Sequence, residues 1–170
     1  VAAVMESAAG NGVPNGVTTR LMLHRDAPFA DLQITVHDKP FDSWPEAGWL
    51  CLPFKVSDAQ FQLGRLGNIV DPARDIIAGA NRNLFGLNTG MAIFETRGAG
   101  AGVGFCPMDG PLVSLDTPGC WKFSKDFVPR KSTAYVNLFN NQWNTNFRLW
   151  NSGTWISRVR LWAFDRYEAK

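Results

Sequence analysis

Short apolar or alternating runs, separated by clusters of Gly, Pro, Asn and Asp, constrain the fold of this chain more than any other feature. The runs are Val17 to His24, Asp31 to His37, Gly48 to Val56, Gly90 to Glu95, Gly102 to Cys106, Leu112 to Leu115, Thr133 to Phe139, Thr145 to Trp150 and Ser157 to Phe164. Between them lie "GNGVPNG", "DKPFDSWPEAG", "RGAGAG" and "DTPG". In such clusters Gly supplies positive φ, Pro withholds a backbone donor, and Asn and Asp bond their own backbone, so each ends a strand. Runs this short read as strands. "DPARDIIAGA" at 71–80 is too short for a sustained helical period and is expected to make one turn after an Asp71 cap. The expected fold is therefore all-β: an antiparallel β-sandwich or supersandwich, or a fragment of a larger sandwich domain. Residues 1–16 read as an N-terminal strand or linker, and 17–170 as the sandwich domain.

Length and charge narrow the partners. A chain of 170 residues is the size of one domain and can bury about 70% of the surface its unfolded form exposes. A formal net charge of +2 gives no electrostatic basis for nucleic acid or an anionic membrane, so neither is an expected partner. No apolar run approaches the roughly 18 residues of a membrane-spanning helix. The first residue is Val1 rather than Met, which reads as a processed or excised piece of something longer. Lys122, Lys125, Arg130 and Lys131 read as a solvated basic loop, and "RGAGAG" at 97–102 as a hairpin turn, because it lacks the Lys-Ser/Thr ending of a phosphate loop.

Cys51, Cys106 and Cys120 have no Cys-x-x-Cys spacing, and the first two sit in apolar stretches. They are expected to be small buried hydrophobes, with a Cys106–Cys120 disulfide as the alternative. No motif ties His24 or His37 to a cysteine, which argues against a catalytic thiol. No cofactor is expected. His24 and Asp26 in "HRD" have a spacing a metal could use, but two ligands without a third are better explained as a polar strand end.

The period of two assigns faces. In 145–150 the expected core set is Thr145, Phe147 and Leu149; in 157–164 it is Val159, Leu161 and Ala163; in 133–139 it is Ala134, Val136 and Leu138. If the three strands are neighbours, their other face carries Asn137, Asn146, Arg148, Arg158 and Arg160 among Tyr135, Trp150 and Trp162, with Trp143 in the connection that rims it. Sugars present apolar C–H patches edged by hydroxyls, and such a face suits them: rings to stack on, amides and guanidinium groups to donate. Packing against another layer or domain would use the same residue types.

Four segments carry a resemblance: "WPEAGWLCLPFKV" at 44–56, "LGRLGNIVDPARDIIAGANRNLFGLNTGMAIFE" at 63–95, "CPMDGPLVSL" at 106–115 and "YVNLFNNQWNTNFRLW" at 135–150. Together they resemble the β-sandwich region that follows the catalytic barrel in glycoside hydrolase family 38 α-mannosidases and their uncharacterised relatives. The resemblance implies a galactose-mutarotase-like sandwich beside a zinc-dependent catalytic domain. It also implies a glycan partner, mannose-containing for such a family, and a catalytic barrel domain or partner chain. That family's metal and nucleophile lie in the barrel, and nothing in this chain matches them.

Catalysis by the chain itself would need two carboxyl groups about 5–10 Å apart, and spacing pairs none of Glu46, Asp71, Asp75 and Asp109. Asp71 reads as a cap and Asp109 as an Asx-turn former. Glu46, flanked by Trp44 and Trp49, is the candidate acid, since indole packing would desolvate it. The leading expectation is a non-catalytic module that supports or contacts glycan. The alternatives are a free-standing carbohydrate-binding protein and a small glycan-cleaving enzyme with Glu46 as its acid.

Overall fold

The structure, a computed structural model, describes residues 1–8, 15–119, 122–141 and 152–168. Its elements are β1 (Ala2–Ser7), β2 (Val17–Leu23), β3 (Ala30–Lys39), β4 (Ala47–Pro53), β5 (Ala59–Arg65), β6 (Asn68–Val70), β7 (Phe85–Gly86), β8 (Met91–Glu95), β9 (Gly102–Pro107), β10 (Leu112–Leu115), β11 (Thr133–Asn140) and β12 (Gly153–Phe164). They form an antiparallel sandwich. One sheet has the order β1-β2-β3-β12-β9-β8-β5-β6 and the other β4-β11-β10-β7.

The alternation read from the sequence is what faces the sheets toward each other. On β11, Ala134 and Val136 are fully buried, and they lie across from Leu52 and Leu50 of β4 and from Leu115 and Val113 of β10. On β12, Val159 is 0% exposed and Leu161 packs against the same core. Phe105 of β9, Ile93 of β8 and Phe61 and Leu63 of β5 complete it from the large sheet. Ala163, expected in this set, is exposed near the end of β12.

Three turns have evident causes. Two residues connect β5 to β6, and both Leu66 and Gly67 have positive φ, 55° and 73°. That is the backbone a tight hairpin needs to match strand twist. The 97–102 loop joins β8 to β9 as a hairpin, with Glu95 N–H donating to the Ala101 carbonyl at 3.0 Å. At 71–75 the Asp71 carboxylate accepts from Ala73 N–H at 2.8 Å, and the Asp71 carbonyl accepts from Asp75 N–H at 2.9 Å, giving the expected single capped turn.

Several expectations are corrected. β11 and β12 belong to different sheets: β11 runs between β4 and β10, and β12 between β3 and β9. Alternation decides which side chains face inward, whereas sheet membership depends on pairing with distant segments. Cys51 is exposed on the outer face of the small sheet, and Cys106 is half-buried and free. β5, β6 and β7 went unread because β5 interleaves Phe61 and Leu63 with glutamines and the other two are very short. The expected strand 145–150, including Phe147 and Leu149, lies outside the described residues, as does Cys120.

Candidate functional site

β12 places Arg158, Arg160, Trp162 and Phe164 in a row on the outer face of the large sheet, alternating with the inward Val159 and Leu161. Its register sets Arg160 between Asp31 of β3 and Cys106 of β9, with Trp162 beside Gly104 and Phe164 beside Gly102. Both arginines are engaged. The Arg160 fork meets Asp31 at 2.8 and 3.0 Å, its guanidinium carbon lies 3.9 Å from the Phe29 ring centre, and His24 Nε2 reaches the same carboxylate at 2.9 Å. The Arg158 fork meets Asp109 at 3.0 and 2.7 Å, and Arg158 N–H donates to Asp109 at 2.7 Å. Asp109 is thus a latch on β12 rather than only a turn former, and His24 pairs with Asp31.

These bonds have a pH consequence. The Arg160 fork holds the Asp31 carboxyl below its ordinary range, with His24 adding to the effect against partial burial. Arg158 does the same for Asp109. A carboxyl whose folded pKa is depressed stabilises the fold fully above its unfolded value of about 3.9, and that contribution is lost as pH falls through the lower folded value. The Asp31→Asn/Asp109→Asn variant should therefore be less stable than wild type at about pH 6, and the gap should close on acidification below about pH 4. Urea unfolding at a series of pH values measures it; a gap that stays constant would show that these pairs are not the source.

Beside the arginines the outer face turns apolar and small. The Trp162 indole lies directly on Gly104: a Cβ added there would sit 2.2 Å from the ring. Ala92 faces Gly104 across β8, and Gly90 and Gly64 continue this lane toward β6. The result is an open groove of about 510 Å³ floored by Gly64, Gly90 and Ala92. Trp162, Phe164 and Tyr167 supply its aromatic surface, and Gln62, Arg166 and Glu168 its polar edge. Tyr167 is itself fixed by stacking on Phe94, ring centres 4.1 Å apart and planes within 5°. Partial burial pushes its phenol pKa up, which keeps the hydroxyl a donor. Cys106 adjoins the lane, but burial raises its pKa and Sγ donates to the Thr89 carbonyl at 2.7 Å, so it is a thiol rather than a nucleophile.

The remaining sequence candidates lie elsewhere. Asn137 is in the small sheet, 8% exposed, and its amide closes the bulge of β11: Nδ2 donates to the Gly48 and Phe139 carbonyls and Oδ1 accepts from Asn140. It does not share a face with Arg158 and Arg160. Asn146, Arg148, Trp150 and Trp143 lie outside the described residues. Glu46 is an ion-pair partner of Lys39, and Trp44 is 75% exposed, so the expected indole-desolvated acid is replaced by a carboxylate against an ammonium. Among the described residues no group of three or more His, Cys, Asp and Glu is placed to hold a metal, and no helix is long and apolar enough to cross a membrane.

The small-residue lane was not read from the sequence. Its signal was there: Gly90 with Ala92 and Gly102 with Gly104 repeat at the strand period of two, which strips one face of two adjacent strands.

These features define an antiparallel β-sandwich whose large sheet carries a ring-lined groove among the described residues. No family model matches the chain, and no curated protein matches it. Among solved structures it is similar to the "putative aldose 1-epimerase" of Escherichia coli K12, with a TM-score of 0.50 and 12% identity over 96% of this chain and 64% of that one. The likeness is one of fold, and the chain spans less than two thirds of that protein's length.

Proposed function

We propose that this chain is a non-catalytic β-sandwich module of a carbohydrate-active protein related to the family 38 glycoside hydrolases, and that it contacts glycan. The observation that carries the reading is the groove on the large sheet, where the Trp162 indole, seated on Gly104, borders a floor of Ala92, Gly90 and Gly64. A pyranose ring needs such a flat apolar surface for its C–H face and nearby amide, guanidinium and carboxylate groups for its hydroxyls. Gln62, Arg166 and Glu168 fill the second role. The sequence motifs and the mutarotase-like fold support the same class. Bond cleavage is assigned to a catalytic barrel on the same polypeptide or a partner chain, because Glu168 is the one carboxylate lining the groove among the described residues and hydrolysis needs two.

Calorimetric titration of mannose-containing oligosaccharides tests this. The wild-type chain should bind with modest affinity, and Trp162→Ala, shown to be folded by circular dichroism, should bind about 5- to 30-fold more weakly, equivalent to about 1–2 kcal/mol. Absence of binding by the wild type sinks the reading. Equal affinity in the folded variant removes the groove from it.

A further inference from the structure

Between the ends of the two sheets lies a second cleft, of about 260 Å³, whose chemistry the groove does not use. Its centre is Lys39, the last residue of β3, whose side chain is 4% exposed and whose ammonium is paired with Glu46. The ammonium stands 5.3 Å from the centre of the Phe139 ring and 5.9 Å from that of Trp155, and those two rings are 5.0 Å apart at 41°. Asn140 completes the lining with a buried amide oxygen that has no hydrogen-bond partner among the described residues.

The orientation of that amide is fixed. Asn140 Nδ2 donates to Asn137 Oδ1 at 2.9 Å, and the Asn137 amide nitrogen is already committed to two carbonyls, so exchanging the ends of Asn140 would oppose oxygen to oxygen. Among the described residues this acceptor therefore lacks a donor, and a buried acceptor left so is costly. Two hydrogen bonds brace its frame: Asn141 N–H donates to the Glu46 carbonyl at 3.0 Å, and Asn141 Oδ1 accepts from Glu46 N–H at 2.6 Å.

We infer that this cleft is a second glycan subsite that takes a single uncharged, hydroxylated ring. The inference rests on the reading that the chain contacts glycan and assigns that contact a further place. A cationic ligand is excluded because Lys39 already occupies the position between the carboxylate and the rings. An anion would meet the Glu46 carboxylate. A hydroxyl can donate to Asn140 Oδ1 while another bridges the ammonium and the carboxylate, and a ring's C–H face can lie on Trp155. The volume lies below the about 300–1,000 Å³ of sites for drug-sized ligands, which limits the occupant to one ring.

Two-dimensional ¹H–¹⁵N NMR on the whole chain tests this. Methyl α-D-mannopyranoside and methyl β-D-glucopyranoside are titrated in while the Trp155 indole N–H, the Asn140 side-chain amide and the Trp162 indole N–H are followed. The expected result is saturable shifts at Trp155 and Asn140 with at least one of the two sugars, and none with acetate or methylammonium. Binding should weaken about tenfold or more in Trp155→Leu and in Lys39→Met/Glu46→Gln, the second of which leaves no unpaired charge behind. Shifts confined to Trp162 overturn the inference and leave the glycan reading standing. Shifts with acetate or methylammonium instead overturn the ligand class. If neither pyranoside shifts Trp155 while oligosaccharides still bind calorimetrically, the subsite is lost alone; if no sugar binds by either method, both fall.

Discussion

Phe105→Ala is expected to destabilise the fold by about 3–5 kcal/mol, the range for truncating a fully enclosed aromatic. Phe105 is 0% exposed on the inner face of β9, flanked in register by Met91 of β8 and Leu161 of β12, with the Phe54 ring centre 5.9 Å away. Strand pairing holds its neighbours on both sides, so the core cannot collapse into the vacated space without breaking ladder hydrogen bonds. The cost should therefore include the cavity as well as the lost transfer energy. Urea unfolding with an unchanged slope would measure it. A loss under about 1 kcal/mol would mean that the sheets close on the site and that the two-layer core is not packed as described.

The second large effect concerns the Lys39–Glu46 pair. Lys39→Met alone should cost about 2–4 kcal/mol, because it leaves the Glu46 carboxylate beside aromatic rings without its counter-charge. Glu46→Gln alone should also destabilise, since the ammonium it strands is the more buried partner. Removing both charges together should recover most of that loss, since a neutral pair of similar volume needs no desolvation to be offset. Chemical denaturation of the two single variants and the double completes the cycle. Additive losses would show that the two side chains do not act as a pair.

The fold was legible where one face of a strand is buried and the other is not. Leu112 to Leu115 corresponds residue for residue to β10, and the inward set Ala134, Val136 and Val159 follows from alternation alone, because a pleated strand must send successive side chains to opposite faces. The row Arg158, Arg160 and Trp162 on a common outer face was legible for the same reason. What Arg158 and Arg160 bond to was not: Asp109 and Asp31 lie 49 and 129 residues away in sequence, and only pairing of β12 with β3 and β9 brings them within reach.

The same division accounts for Glu46 and Asn137. Local sequence places tryptophans beside Glu46, but in the folded chain Trp44 turns to solvent and a lysine from the end of β3 becomes the neighbour. Asn137 shares its alternation with residues of the expected polar face, yet β11 joins the small sheet and its amide closes a bulge. Sequence by itself therefore determined that this chain is an antiparallel sandwich and that Ala134, Val136, Val159 and Leu161 turn inward, though not that Cys51 and Ala163 are exposed, since period and breakers act over a few residues. Tertiary structure alone decided which strands share a sheet, which carboxylate each arginine meets, and where the Trp162 groove and a cleft around a buried lysine arise. Those features depend on the register of segments far apart along the chain, and no local period encodes that register.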